Sequence, residues 1–236
     1  MVFLSNWQKD LSPKEFSILI ILFIFIFIFY EFILLSRLSA ERCSGEAAGY
    51  LKKSRSLGKD IVIEKSVLYY KGLRVLGNSI AFNPLDSRFY FEYAEAVVEA
   101  AEDSQLSSLL EMGSLGQGET RDMNGFYDLA KTRYVEAISR DPVNAIYHQR
   151  LGRVYDKLSD TKKAEEEFKA AVLLSPQSIM IHIYLSQYFL SRNKEAEFLY
   201  HIKKAISIQT LTPGAYVSGD LLVFIRSIGR EDLIKK

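Results

Sequence analysis

The stretch "AIYHQRLGRVYDKLSDTKKAEEEFKAAVLLSP", Ala145 to Pro176, decides how the rest of the chain is read. Its second half, "AEEEFKAAVLLSP" from Ala164, has a near copy in "AKTRYVEAISRDP" from Ala130. Both carry Ala first, an aromatic fifth, Ala eighth and Pro thirteenth, and they begin 34 residues apart. Within each copy the apolar residues recur at three and four, the spacing of one helical face. A period of that length, filled with helical spacing, describes a helix pair that cannot bury its apolar face alone and must stack on copies of itself.

Leu151-Gly152, Tyr155, Ala164, Phe168, Ala171 and Pro176 stand where the tetratricopeptide-repeat pattern wants Leu-Gly, Tyr, Ala, Phe, Ala and Pro. The segment resembles that family; only His148 departs, at a place usually held by a large aromatic. The residue types follow from packing. Gly152 and Ala164 sit where the two helices of a pair approach closely, Tyr155 and Phe168 fill the wider gaps, and Ala171 admits the next pair. Pro176 lies past the second helix, where it cannot continue it. The resemblance implies an all-α fold: a right-handed superhelical stack of antiparallel helix pairs, about three repeats with a cap helix, over residues 65–230.

Working outward, the neighbouring copies are weaker. Ala130, Tyr134, Ala137 and Pro142 make a second helix whose partner is "DSRFYFEYAEAVVEAAED", Asp86 to Asp103. Between them residues 104–124 form an insertion, and its glycines at 113, 116 and 118 predict a mobile loop open to proteolysis near Arg121. "VLYYKGLRVLGNSIAFNP", ending at Pro84, reads as the second helix of a degenerate first repeat. Downstream, Leu185-Ser186, Phe189, Ile202 and Ala205 mark a further pair, and Ala215 to Ile228 the cap. Residues 231–236 are a short tail.

"FSILIILFIFIFIFYEFILL", Phe16 to Leu35, is twenty residues with one charge, Glu31. A helix of that length rises about 30 Å, the thickness of a bilayer hydrocarbon core. It is too long for a signal peptide's apolar core, and a lone strand could not satisfy its backbone in lipid. Residues 16–36 are therefore expected to be a transmembrane helix after a 1–15 tail. The small, polar, glycine-punctuated residues 37–64 are expected to be a juxtamembrane linker, in part helical. Sidedness stays open. Lys/Arg counts near the span favour a cytoplasmic repeat domain, whereas a short lysine-bearing tail before one apolar run, as in signal anchors, favours an extracytoplasmic one. The second is the preferred expectation.

Lys+Arg number 30 and Asp+Glu 29, so no basic footprint for nucleic acid exists. One cysteine excludes an internal disulfide and any multi-cysteine metal site. "GSLGQGETR" at 113–121 has neither the Lys-Ser/Thr nor the preceding strand of a phosphate loop. The three histidines have no metal-ligand spacing, no GxSxG elbow occurs, and the "EEE" of 165–167 reads as a solvated face. No catalytic, cofactor-binding or metal-ligating residue is assigned, and the chain is expected not to be an enzyme.

The resemblance implies instead that the first helix of each pair lines a concave groove for a protein or peptide partner. The groove positions are Arg88, Phe91 and Glu95, then Ile146, Gln149 and Arg153, then Met180, Ile183 and Gln187. Each set falls on one helical face. The alternative for Ile146, Met180 and Ile183 is that the cap helix or the insertion covers them. The expectation is a membrane-anchored scaffold in a cell-envelope assembly. The alternative is a non-catalytic accessory subunit of a membrane enzyme complex, for example in surface-polysaccharide assembly. "AFNPLDSRFYFEYAEA" is similar to arrays that follow the membrane region of some O-antigen ligase-like proteins, a fold-level analogy.

Overall fold

The computed structural model describes residues 13–58, 61–103, 106–107, 123–210 and 219–233, and every regular element among them is helical. The chain divides into two compact units, Met1–Leu85 and Asp86–Lys236.

The first unit is a helical hairpin. Helix α1, Pro13–Ser56, is one uninterrupted helix of 44 residues. Its apolar window is wholly unburied, and α1 is the one described helix long and apolar enough to cross a membrane. Burial begins just past the apolar run, at Ala40, and continues at Ala47, Leu51 and Ser54. These residues share one face, and α2, Val62–Phe82, packs on it. The pairing runs the whole length. Ser54 Oγ donates to the Lys65 carbonyl at 3.0 Å, Gly72 lies against Leu51 and Ala47, and Ser36 Oγ donates to the Phe82 carbonyl. A Cβ on Gly72 would come within 2.9 Å of Leu51, so the close approach needs glycine there.

Two expectations change here. Within residues 37–64, expected as a linker in part helical, helix continues unbroken through Ser56, and the turn comes only after it. The expected start of the repeat region at residue 65 cuts this hairpin, because α2 has its antiparallel partner in the C-terminal part of α1. The partner escapes a search for large apolar residues because Ala40, Ala47 and Ser54 carry most of its buried face. Small side chains let two helices approach closely without any strong hydrophobic signal in the sequence.

The second unit holds three further pairs. Helices α3 (Ser87–Glu102) and α4 (Met123–Arg140) form one, α5 (Ala145–Lys157) and α6 (Thr161–Leu174) the next, α7 (Ile179–Ser191) and α8 (Glu195–Thr210) the last. Helix α4 packs on α5 and α6 on α7, so the pairs follow one another as the 34-residue period requires. The starts of the first helices are built alike. Pro84, Pro142 and Pro176 each precede by two residues an N-cap: Asp86, Asn144 or Ser178. Each cap oxygen accepts a backbone N–H of the first turn, from Arg88 at 3.0 Å, Ile146 at 3.2 Å and Ile181 at 3.4 Å. Such caps satisfy donors that the helix itself leaves unpaired.

Ala164, Phe168 and Ala171 on α6 meet Ala145 on α5 and Ile181, Leu185 and Tyr188 on α7 in one core. A Cβ on Gly152 would lie 2.8 Å from the Phe168 ring, which accounts for glycine at the crossing of α5 and α6. The short turn between them puts Ser159 at φ 62, and Asn193 holds φ 55 in the corresponding turn of the next pair. Helix α9, Gly219–Ser227, closes the array: Leu221 and Ile225 pack with Ile183, Phe198, Ile202 and Ala205. It is the expected cap. The insertion is described only at its start and end. Leu106 is buried, and its N–H donates to Asp103 Oδ1 at 3.1 Å. The glycines at 113, 116 and 118 and the cleavage site at Arg121 lie outside the described residues.

Candidate protein-binding surface

Helices α3, α5 and α7 come together on one face, and polar contacts between them define it. Arg150 Nε on α5 lies 3.3 Å from Glu95 on α3, and Arg153 lies 3.7 Å from Glu102. Both guanidinium groups sit over the Tyr184 ring of α7, at 5.7 and 5.1 Å from its centroid. Tyr134 of α4 donates to Glu95, and burial together with that carboxylate pushes the Tyr134 phenol well above its ordinary range. Phe91 is half-buried and stacks on Tyr147, ring centroids 4.8 Å apart. The two arginines thus lie between carboxylates of α3 and the Tyr184 ring of α7, so the charges of this floor neutralise one another.

The nine expected contact residues divide on this floor. Arg88 is exposed and paired with Asp86 at 2.6 Å. Ile146 is 53% exposed, Met180 is 46% exposed, and Gln187 is exposed as well. Glu95 and Arg153 are half-buried in the ion pairs just described. Two residues need correction. Ile183 is only 4% exposed and belongs to the core beneath α9; the cap covers it. Gln149 is 3% exposed, and its Nε2 has no hydrogen-bond partner, so it is not an open contact position either. Sequence reasoning missed Arg150, Tyr184 and Glu102. A usable signal existed: Arg150 and Tyr184 are one 34-residue period apart, like Ile146 and Met180, and neighbour each other through that offset.

The histidines resolve into repeat-equivalent contacts. His148 Nδ1 meets Glu167 at 2.7 Å and its Nε2 the Pro142 carbonyl at 3.1 Å. One period on, His182 Nε2 meets the Pro176 carbonyl at 3.2 Å, and its Nδ1 meets His201 Nδ1 at 2.9 Å. A carbonyl only accepts, so His182 Nε2–H donates to it, and His201 Nδ1–H donates to the lone pair on His182 Nδ1. Burial lowers the pKa of both rings. His201, with His182 also beside it, falls to about 4 although Glu197 opposes the shift. The "EEE" segment is not uniformly solvated: Glu165 pairs with Lys194 at 2.6 Å and Glu167 with His148, leaving Glu166 exposed. Among the described residues no group of three His, Cys, Asp or Glu side chains is placed to hold a metal ion.

No family model matches the sequence, and no curated protein matches it. Solved structures do. A monomeric mutant of IFIT1 superposes with a TM-score of 0.54 at 14% identity, over 73% of this chain and 40% of that one. MamA from Desulfovibrio magneticus RS-1, residues 41 to the end, gives 0.49 at 16% identity, over 78% and 98%. The TPR domain of Arabidopsis OM64 gives 0.44 at 15% identity, over 63% and 93%. The likeness is one of fold: the described residues form an all-α stack of helix pairs of the tetratricopeptide-repeat kind, with one candidate membrane span among them.

Proposed function

We propose that this chain is a membrane-anchored scaffold that binds a protein partner on the face formed by α3, α5 and α7. The observation that carries the reading is the pair Ile146 and Met180. They are equivalent positions one period apart, and both remain exposed on a face whose charges are otherwise engaged with one another. Apolar anchors on an internally neutralised floor suit a segment with hydrophobic side chains rather than a polyanion. The fully exposed apolar stretch of α1 supports the anchor, and a cell-envelope assembly with the array outside the cytoplasm remains the preferred setting.

A photo-crosslinking residue at Ile146 or Met180 of the full chain, activated in native membranes, is expected to give a discrete protein adduct. The same residue at exposed Glu166 is expected to give none. Equal adducts at all three positions would remove this face as the binding surface. A reporter fused after Lys236 reads the sidedness directly.

A further inference from the structure

We propose that the end of α2 and the turn that follows it, Phe82 to Leu85, rest in the lipid headgroup layer beside α1 and give the chain a second membrane contact. The proposal rests on reading α1 as a span. Its apolar run ends at Leu35, and Ser36 is the first residue beyond it. The Ser36 hydroxyl reaches the Phe82 carbonyl, so α2 ends at the level where α1 leaves the hydrocarbon.

The length of the hairpin agrees. From Ser54 back to Ser36 the rise is about 27 Å, and from Lys65 on to Phe82 about 26 Å. The two helices therefore stay side by side from the far turn down to the membrane. Because α1 is one unbroken helix, this height is set by residue count alone. Helix α2 runs toward the bilayer and stops there.

The side chains at that end suit an interface. Phe82 is 46% exposed and Leu85 83% exposed. Asn83 and Pro84 lie between them. Arg37 is exposed at the same level, placed for anionic or zwitterionic phosphate groups. The last carbonyls of a helix lack intrahelical partners and must find other donors. The Ser36 hydroxyl supplies a donor to the Phe82 carbonyl, which lets α2 terminate there. The occupant is lipid because this exposed apolar surface continues the unburied surface of the span. Ile63, 74% exposed at the far turn of the same hairpin, is out of reach of lipid by about 30 Å.

The test uses the full chain with Cys43→Ser and single cysteines carrying an environment-sensitive fluorophore, in phosphatidylcholine vesicles containing a lipid spin-labelled just below the headgroup. Leu85→Cys is the probe, and Pro84→Cys is a second probe should the first disturb the turn. Phe25→Cys and Arg37→Cys report on the span, and Ile63→Cys on the distant end. Labels at 84 or 85 are expected to be quenched within about twofold of the label at 37, with none at 63, as a shared interfacial depth requires. Quenching at 25 and 37 without quenching at 84 and 85 would overturn the second contact while leaving the span intact. No quenching at 25 or 37 would overturn the span reading, and the second contact with it.

Discussion

Gly152 and Glu166 lie one helix apart and should respond in opposite ways to substitution. The Cβ of any other residue at 152 enters the Phe168 ring, so Gly152→Leu is expected to destabilise the array by on the order of 1–3 kcal/mol, the scale of overpacking. Glu166→Gln, on an exposed position, should leave the melting temperature nearly unchanged. Equal shifts would contradict the packing of α5 on α6. The buried histidine pair makes a second residue-scale prediction. In the unfolded chain both rings take up protons as the pH falls past their ordinary 6.5, whereas folded His201 does so only at about 4. The unfolded state binds more protons in that window, so the stability is fully present above pH 6.5 and is lost as the pH falls toward 4, by on the order of 2 kcal/mol. Chemical denaturation across that range should show the loss, and the double variant His182→Phe with His201→Leu should flatten it. Gly152, Phe168 and Ala171 were legible in the sequence because each packing role has one fitting residue type. The burial of Ile183 was not, because periodicity assigns a residue to a helical face but does not tell which later element covers that face.

At the scale of elements, the cap and the proposed contact surface separate cleanly. Ile183→Asp places a carboxylate in the core formed with Phe198, Ile202, Leu221 and Ile225, where an unpaired charge is strongly disfavoured. It should unfold α7 to α9 or lower the melting temperature sharply. Met180→Asp, on the same helix but exposed, should leave stability almost untouched and reduce crosslinking at the face. Similar melting shifts for the two would place them in the same environment and refute the assignment. Asn144→Ala removes the acceptor for the Ile146 N–H and should cost about 1 kcal/mol, the usual worth of a helix N-cap. Pro84, Pro142 and Pro176 were visible in the sequence as the ends of second helices; the caps two residues beyond them were not read there. The C-terminal part of α1 was not visible as a packed helix, because Ala, Gly and Ser give neither apolar periodicity nor a boundary signal, and only the presence of α2 opposite them reveals the pairing.

For the whole molecule, the hairpin determines where the chain can be cut. A fragment of residues 38–236 keeps Ala40, Ala47, Leu51 and Ser54 against α2 and is expected to be soluble and to melt cooperatively. A fragment of residues 57–236 leaves Leu68, Tyr69, Leu73 and Leu76 without their partner. It should expose α2 to proteolysis and aggregate at concentrations where the longer fragment stays monomeric, as sedimentation would show. Comparable behaviour of both fragments would mean that α2 folds without α1.

Because α1 passes from its apolar stretch into the hairpin without a break, α1 as the proposed span would act as a keyed shaft rather than a leash. Each residue adds about 100° of rotation and 1.5 Å of height, so the number of residues between the apolar run and Ala40 fixes the azimuth of the hairpin about the apolar stretch of α1. One alanine inserted after Arg37 would turn α2 about a quarter of the way around the shaft, whereas seven would bring it back almost into phase, some 10 Å higher. A flexible tether of the same length would be indifferent to either change.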